Sequence, residues 1–174
     1  MSRLMIILAL LALVAVSAPT GCSEAHPHST APAADLTGWP TGELVQVGVC
    51  DVTLPAGIDP VRRERILDAI AYIASSWEHD EGWLPPTSIG ITDEEPECDG
   101  GGNFGGCWRG DRYVICNTAG DTCAYLYHEF SHRAYQLWGH SDPRWSNWNQ
   151  RMQELWVVLD ARPYPEGYVP GGSK

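Results

Sequence analysis

Basic residues are scarce in this chain of 174 residues. Lys and Arg total 11 against 22 Asp and Glu, which gives a formal net charge of -11 at pH 7. Binding to nucleic-acid phosphates requires clustered Lys and Arg, and the sequence contains no basic stripe. We therefore expect no nucleic-acid partner. The acidic residues are scattered, so the charge indicates solubility and little more.

Two metal-binding patterns are also missing. No C-x-x-C pair occurs, which argues against a cysteine zinc knuckle. The acid- and glycine-rich stretch from Asp93 to Asp111 lacks the D-x-[DN]-x-[DN]-G spacing of a calcium loop. We expect this stretch to be a solvated loop that a disulfide could pin, since Cys98 and Cys107 bracket part of it.

Long apolar runs are absent as well. The run Leu4–Val16 is shorter than the roughly 20 residues that span a bilayer, and it follows a basic residue, as in a signal peptide. Gly21 and Cys22, which follow shortly after this run, make the segment resemble a bacterial lipoprotein signal. The resemblance implies removal of residues 1–21, lipidation of Cys22 and a membrane anchor.

The expected location is therefore the bacterial cell envelope. By the same resemblance, Ser23 is compatible with sorting to the outer membrane. Cleavage after Ala18 with secretion, or an uncleaved anchor, are the alternatives.

The cysteine count agrees with export to an oxidising compartment. If Cys22 carries lipid, an odd number of cysteines remains, and the sequence does not choose among their pairings. These are Cys50, Cys98, Cys107, Cys116 and Cys123. We favour a disulfide near the helix that carries the histidine motif below.

Composition divides the rest of the chain into a tether and one domain. Residues 22–42 are rich in Ser, Ala, Pro and Thr and lack periodicity, which is typical of a flexible tether. The folded domain is expected over residues 43–174.

Within that domain the periodicity predicts an α+β fold, a mixed sheet packed on helices. Strands are expected over Glu43–Leu54, Thr87–Thr92 and Arg112–Asn117, and helices over Pro60–Trp77, 122–138 and from Asp142 onward. Asp-Pro pairs start two of the helices, and the Thr118–Asp121 cluster starts the third. Gly139 is the expected stop of that third helix. Apolar helical faces predict core positions at Ile66, Ile70, Ile73, Trp77, Trp145, Trp148, Met152, Leu155, Trp156 and Leu159.

The middle helix contains H-E-x-x-H, formed by His128, Glu129 and His132. Histidines four residues apart lie on one helical face and can share an ion. Glu129 can then act as general base toward a zinc-activated water. A surface helix with two solvated histidines is the alternative.

A catalytic zinc needs a third protein ligand. His140 is the preferred candidate, because it follows the break at Gly139 and can turn back toward the ion. Asp142 is the rival, although capping of the next helix already explains it. Glu154 would serve in a thermolysin-like arrangement.

The segment Tyr127–Leu155 resembles zincin-type metallopeptidases, in particular SprT-like and other minimal zincins. The resemblance rests on the H-E-x-x-H motif and on Gly139, His140 and Trp145 after it. The resemblance implies a zincin-like fold, one Zn²⁺ ion, a peptide or protein substrate and hydrolysis of peptide bonds. It also implies that the strand Arg112–Asn117 edges the substrate cleft. The alternatives are a non-catalytic zinc-binding module and a structural surface lipoprotein.

Tyr164 and Tyr168 could reach over the site, whereas Tyr135 and Trp138 are expected to pack.

Overall fold

The computed structural model of the chain describes residues 38–93, 96, 105–109, 113–117, 121–137 and 139–170. Within 113–117 it describes the side chain of Val114 alone. The expected signal peptide, the lipidation site at Cys22 and most of the expected tether lie outside these residues. Across the described ranges, no helix combines the length and apolar character needed to span a membrane.

The described residues form an α+β fold, as predicted. In chain order the elements are β1 Leu44–Val47, β2 Cys50–Thr53, α1 Pro60–Glu81, β3 Thr87–Thr92, β4 Gly106–Trp108, β5 Tyr113–Asn117, α2 Tyr125–Tyr135 and α3 Trp145–Asp160. The strands form one mixed sheet in the order β1-β2-β3-β5-β4. β2, β3 and β5 are parallel, and the outer strands β1 and β4 run antiparallel to their neighbours. α1 and α2 pack together, and α3 packs on α2.

The prediction of one continuous strand over Glu43–Leu54 is wrong, because the chain reverses at Gly48. This glycine has φ of 59°, which glycine adopts without steric cost at the first position of a tight hairpin turn. Val49 lies in the turn and is 49% exposed. The buried positions of β2 and the residue after it are Cys50, Val52 and Leu54.

Helix α1 begins as predicted and ends later than predicted. Oδ1 of Asp59 accepts hydrogen bonds from the N–H groups of Val61 (2.9 Å) and Arg62 (3.1 Å), which satisfies donors that the first turn leaves open. The helix continues past Trp77 and stops where Gly82 adopts a left-handed φ of 80°. The predicted core positions Ile66, Ile70, Ile73 and Trp77 have no exposed surface.

The predicted strand over Arg112–Asn117 exists as β5, but its expected place at the sheet edge is wrong. β5 lies between β3 and β4, so its backbone groups are paired on both sides. The outer strand β4 falls in the stretch expected to be a loop, and it is too short and glycine-rich to produce an alternating pattern.

Helix α2 is shorter than predicted at both ends. It starts at Tyr125 rather than at Thr122, and it ends at Tyr135 because Gln136 adopts a left-handed φ of 53°. Asp121 is buried and accepts hydrogen bonds from Nε of Arg62 and from the hydroxyl of Tyr164, each at 2.9 Å. Residues 118–120 of the expected helix-start cluster lie outside the described residues.

The apolar face of α3 is confirmed. Trp145, Trp148, Met152, Leu155 and Leu159 are buried, and Trp156 is partly buried against them. The segment after Asp160 is irregular through residue 170.

Cys50 and Cys123 are thiols, and both are buried. Burial raises the pKa of Cys50 to about 11. Cys123 directly precedes α2, so the expected disulfide beside this helix does not use it. Cys98 and the side chain of Cys116 lie outside the described residues, and their pairing stays a prediction.

The folded part of the chain begins before Glu43, the expected domain start, because Trp39 and Pro40 already pack against the sheet. A Cβ atom placed on Gly90 of β3 would lie 2.9 Å from Cδ of Pro40 and 3.0 Å from Cε3 of Trp39. Such distances are shorter than normal contacts, so the glycine allows this close approach.

We expect Gly90→Ala to lower the free energy of unfolding by about 1–3 kcal/mol, because overpacking displaces the two side chains. Urea denaturation would measure the loss. In a Trp39→Ala background the same substitution should cost clearly less, since one of the two close neighbours is gone. Equal costs in both backgrounds would contradict the packing described here.

Candidate metal centre

Three histidine side chains converge beside α2. His128 and His132 lie one turn apart on this helix, and His140 lies in the turn between α2 and α3. Nε2 of His128 is 3.2 Å from Nε2 of His132 and 3.1 Å from Nε2 of His140. The ligand atoms of all three lie within 4.8 Å of one another. The structure therefore brings together the preferred set of predicted ligands.

The Nδ1 atoms of His128 and His132, on the other side of each ring from Nε2, face oxygen atoms. Nδ1 of His128 lies 2.8 Å from Oδ1 of Asn149, and Nδ1 of His132 contacts the backbone carbonyl of Leu137. A carbonyl oxygen accepts hydrogen bonds and does not donate them, so each Nδ1 carries the proton. In the neutral rings both Nε2 atoms then present lone pairs to each other.

Lone pairs that face each other at this distance repel unless a cation lies between them. Zinc–nitrogen bonds measure about 2.0–2.1 Å, so a tetrahedral ion separates two nitrogen ligands by about 3.3 Å. The two measured separations are close to that value. The donor set and its spacing therefore fit a tetrahedral metal ion.

Burial keeps the histidines on α2 in the neutral form that a metal ligand requires. It lowers the pKa of His128 to about 4, and the neighbouring His132 and His140 add to the effect. Burial also lowers the pKa of His132. Both pKa shifts favour the neutral ring, which carries one proton on Nδ1 and a lone pair on Nε2.

Two tryptophans contact the cluster. The ring of Trp145, at the start of α3, lies with its centroid 4.5 to 4.7 Å from the centroids of the three imidazoles. Its Nε1 donates to the carbonyl of Gly139 at 3.0 Å, which fixes the residue before His140. Trp108 of β4 stacks on His132, with ring centroids 6.0 Å apart and planes inclined by 10°.

Glu129 is 4% exposed and lies on the side of α2 that faces β4. Burial raises the pKa of its carboxyl to about 8, while a hydrogen bond from the backbone N–H of Trp108 opposes the shift. Trp108 thus contacts both Glu129 and His132, and it links the predicted general base to the histidine cluster.

The rival third ligands are engaged elsewhere. Oδ1 of Asp142 accepts from the backbone N–H of Arg144 at 2.9 Å, and both carboxylate oxygens contact the Arg144 guanidinium. These bonds lower the pKa of Asp142 to about 2. Glu154 is bonded to Gln150 and Arg151 on its own helix. Asp142 organises the turn before α3, although the helix itself starts after Arg144.

The tail tyrosines do not reach over the histidines. The hydroxyl of Tyr164 donates to Asp121 at 2.9 Å, and that of Tyr168 donates to Asp59 at 3.0 Å. Asp59 is the N-cap of α1 and Asp121 precedes α2, so both hydroxyls are bonded outside the histidine cluster. Tyr135 packs on Trp148 as expected, and Trp138 lies outside the described residues.

Asn149 and Trp108 are contacts of the centre that the sequence did not indicate. Asn149 lies on the solvated side of a helix, and Trp108 lies in a presumed loop, so neither residue has a local pattern. Comparisons with protein-family models, with curated proteins and with solved structures find no match for this chain. On its own residues, the molecule is an α+β domain with a three-histidine centre that could hold a metal ion.

Proposed function

We propose that this chain is a zinc-dependent metallopeptidase with a zincin-like fold. The observation that carries the proposal is the convergence of three Nε2 atoms, two of them on rings whose Nδ1 is bonded to an oxygen. Three imidazoles suit several transition metals, and zinc is favoured because catalytic zinc sites combine three protein ligands with an open position.

When bound by His128, His132 and His140, zinc would supply Lewis acidity toward a peptide carbonyl and lower the pKa of water. Burial alone favours the neutral acid form of Glu129, whereas a cation held by the three histidines would favour the carboxylate. In that form Glu129 is the group that accepts a proton from the attacking water and returns it to the leaving amine. The backbone N–H of Trp108 orients its carboxylate. Burial of Glu129 and His132 limits the access of bulk water to this side of the centre.

Strand β4 is the proposed recognition element for a peptide or protein substrate. It is an outer strand, it packs on α2, and its Trp108 contacts the centre. Export and lipid anchoring at Cys22 belong to the same proposal and rest on the sequence alone.

One observation favours a second candidate, a zinc-binding domain without catalysis. The Glu129 carboxylate accepts a hydrogen bond from the Trp108 backbone, so this residue also has a structural use. The two candidates share the metal centre and differ in whether Glu129 moves a proton.

The first test of the proposal is the number of metal ions bound per chain, measured on the purified protein by inductively coupled plasma mass spectrometry. We expect one zinc per chain in the wild type. His140→Ala should weaken binding by at least about 100-fold, because the third ligand is lost. Asp142→Ala should keep the zinc, since its carboxylate is bonded to Arg144.

Loss of zinc in Asp142→Ala with retention in His140→Ala would assign the third ligand to the aspartate. A wild type that holds no metal, even after zinc is supplied, would remove the basis of the proposal.

A further inference from the structure

A side chain of α3 holds the imidazole at the middle of the histidine cluster. His128 takes part in both close contacts, at 3.2 Å with His132 and at 3.1 Å with His140. On its other side, Nδ1 lies 2.8 Å from Oδ1 of Asn149. Asn149 is exposed and lies in the first turns of α3, so it connects a different helix to this ring.

We propose that Asn149 is a positioning residue that fixes the tautomer and orientation of His128 and thereby sets the affinity of the centre for its metal. This inference rests on the proposed function. The amide oxygen accepts a hydrogen bond, so it holds the proton on Nδ1 and leaves the lone pair of Nε2 directed at the cluster. A partner of this kind also increases the basicity of a ligating imidazole.

His132 and His128 are held in different ways. The partner of His132 is the backbone carbonyl of Leu137, and no side-chain substitution deletes a carbonyl. The partner of His128 is a side chain that makes no other hydrogen bond among those resolved in the described residues. Asn149 is therefore a position where outer support of a ligand can be removed without touching the ligand.

Two substitutions separate the effect of losing the hydrogen-bond acceptor from the effect of changing the packing. Asn149→Leu keeps a side chain branched at Cγ and raises the helix propensity, but it leaves the Nδ1–H of His128 without its acceptor. Asn147→Leu below makes the same change in size and propensity. Asn149→Asp keeps an acceptor and adds a negative charge. Asn147→Leu is the matched control, because Asn147 is also an exposed asparagine of α3, two residues away, with no imidazole contact among the described residues.

The experiment combines two measurements on the full-length protein and these variants. Ring ¹⁵N chemical shifts of histidine-labelled, metal-free protein report the tautomer of His128. Competition titrations with Zn²⁺ and Co²⁺ report affinity. We expect Asn149→Leu to mix the tautomers and weaken binding about 10–100-fold, Asn149→Asp to match or exceed the wild type, and Asn147→Leu to behave as the wild type.

Unchanged tautomer and affinity in Asn149→Leu would overturn the inference and leave the proposed function standing. Equal losses in Asn147→Leu would overturn it too, since they would indicate a general effect on α3. A wild type that binds neither ion would overturn the proposed function and the link to affinity, whereas the tautomer measurement would still support or refute the orienting role.

Discussion

Glu129→Gln is expected to lower peptide hydrolysis by about 10²–10⁴-fold, the range that a positioned general acid–base contributes. The amide of glutamine cannot take up the proton that the carboxylate accepts. It does keep an oxygen that can accept the hydrogen bond from Trp108, and it matches glutamate in size. The fold and the three-histidine centre should therefore persist.

The measurement is cleavage of a denatured protein and of a peptide mixture, read by mass spectrometry, with zinc content and thermal unfolding recorded for each preparation. Tyr135→Phe serves as a control, because Tyr135 lies on the same helix and its hydroxyl contacts Glu81 rather than the centre. A zinc-loaded wild type that cleaves nothing, or a Glu129→Gln protein of equal activity, would favour the non-catalytic zinc-binding domain.

Trp77→Ala is expected to lower the free energy of unfolding by about 3–5 kcal/mol. The side chain has no exposed surface. Its ring meets Tyr127 and Phe130 edge to face, with centroids 5.0 and 5.9 Å away, and lies 6.4 Å from Trp148 of α3. Removing it leaves a large cavity where all three helices meet.

Two matched variants test the mechanism by urea denaturation. Trp77→Phe should cost much less, because a ring remains and because the buried Nε1 of Trp77 has no hydrogen-bond partner among the described residues. Trp83→Ala should change stability by no more than about 0.5 kcal/mol, since Trp83 is 44% exposed. If Trp77→Ala and Trp83→Ala cost the same, the assignment of Trp77 to the centre of the core would be wrong.

Features that depend on local chemistry could be predicted from the sequence. The cap at Asp59, the apolar faces of α1 and α3 and the strand β3 each follow from residue spacing and from the hydrogen bonds that short polar side chains make. His128 and His132 share a face for the same reason. Such features need no knowledge of distant contacts.

Features that depend on tertiary pairing could not be predicted. Val45, Val47 and Val49 alternate across Gly48 as they would in a single strand, so these valines do not reveal the hairpin. β4 forms because β5 offers it a partner, and three residues give no periodic signal. Gln136 ends α2 in a left-handed conformation that its residue type does not favour.

The candidate centre was predictable in part. His140 follows a helix break, and the sequence could rank it above Asp142 but could not exclude the aspartate. The bonds between Asp142 and Arg144 supply the missing argument. Asn149 is separated from His128 by the turn that reverses the chain. The two residues meet because α3 packs on α2, which the sequence does not indicate.

The burial of Cys50 has a consequence for how this domain can be studied. Its thiol is inside the core on β2, and its pKa of about 11 leaves almost no reactive thiolate at neutral pH. A thiol-modifying reagent can reach this sulfur only when the sheet opens, so its labelling rate reports the population of opened molecules. Because Cys123 is a second buried thiol, the labelling must be followed at Cys50 itself, and it then reports the opening of the sheet.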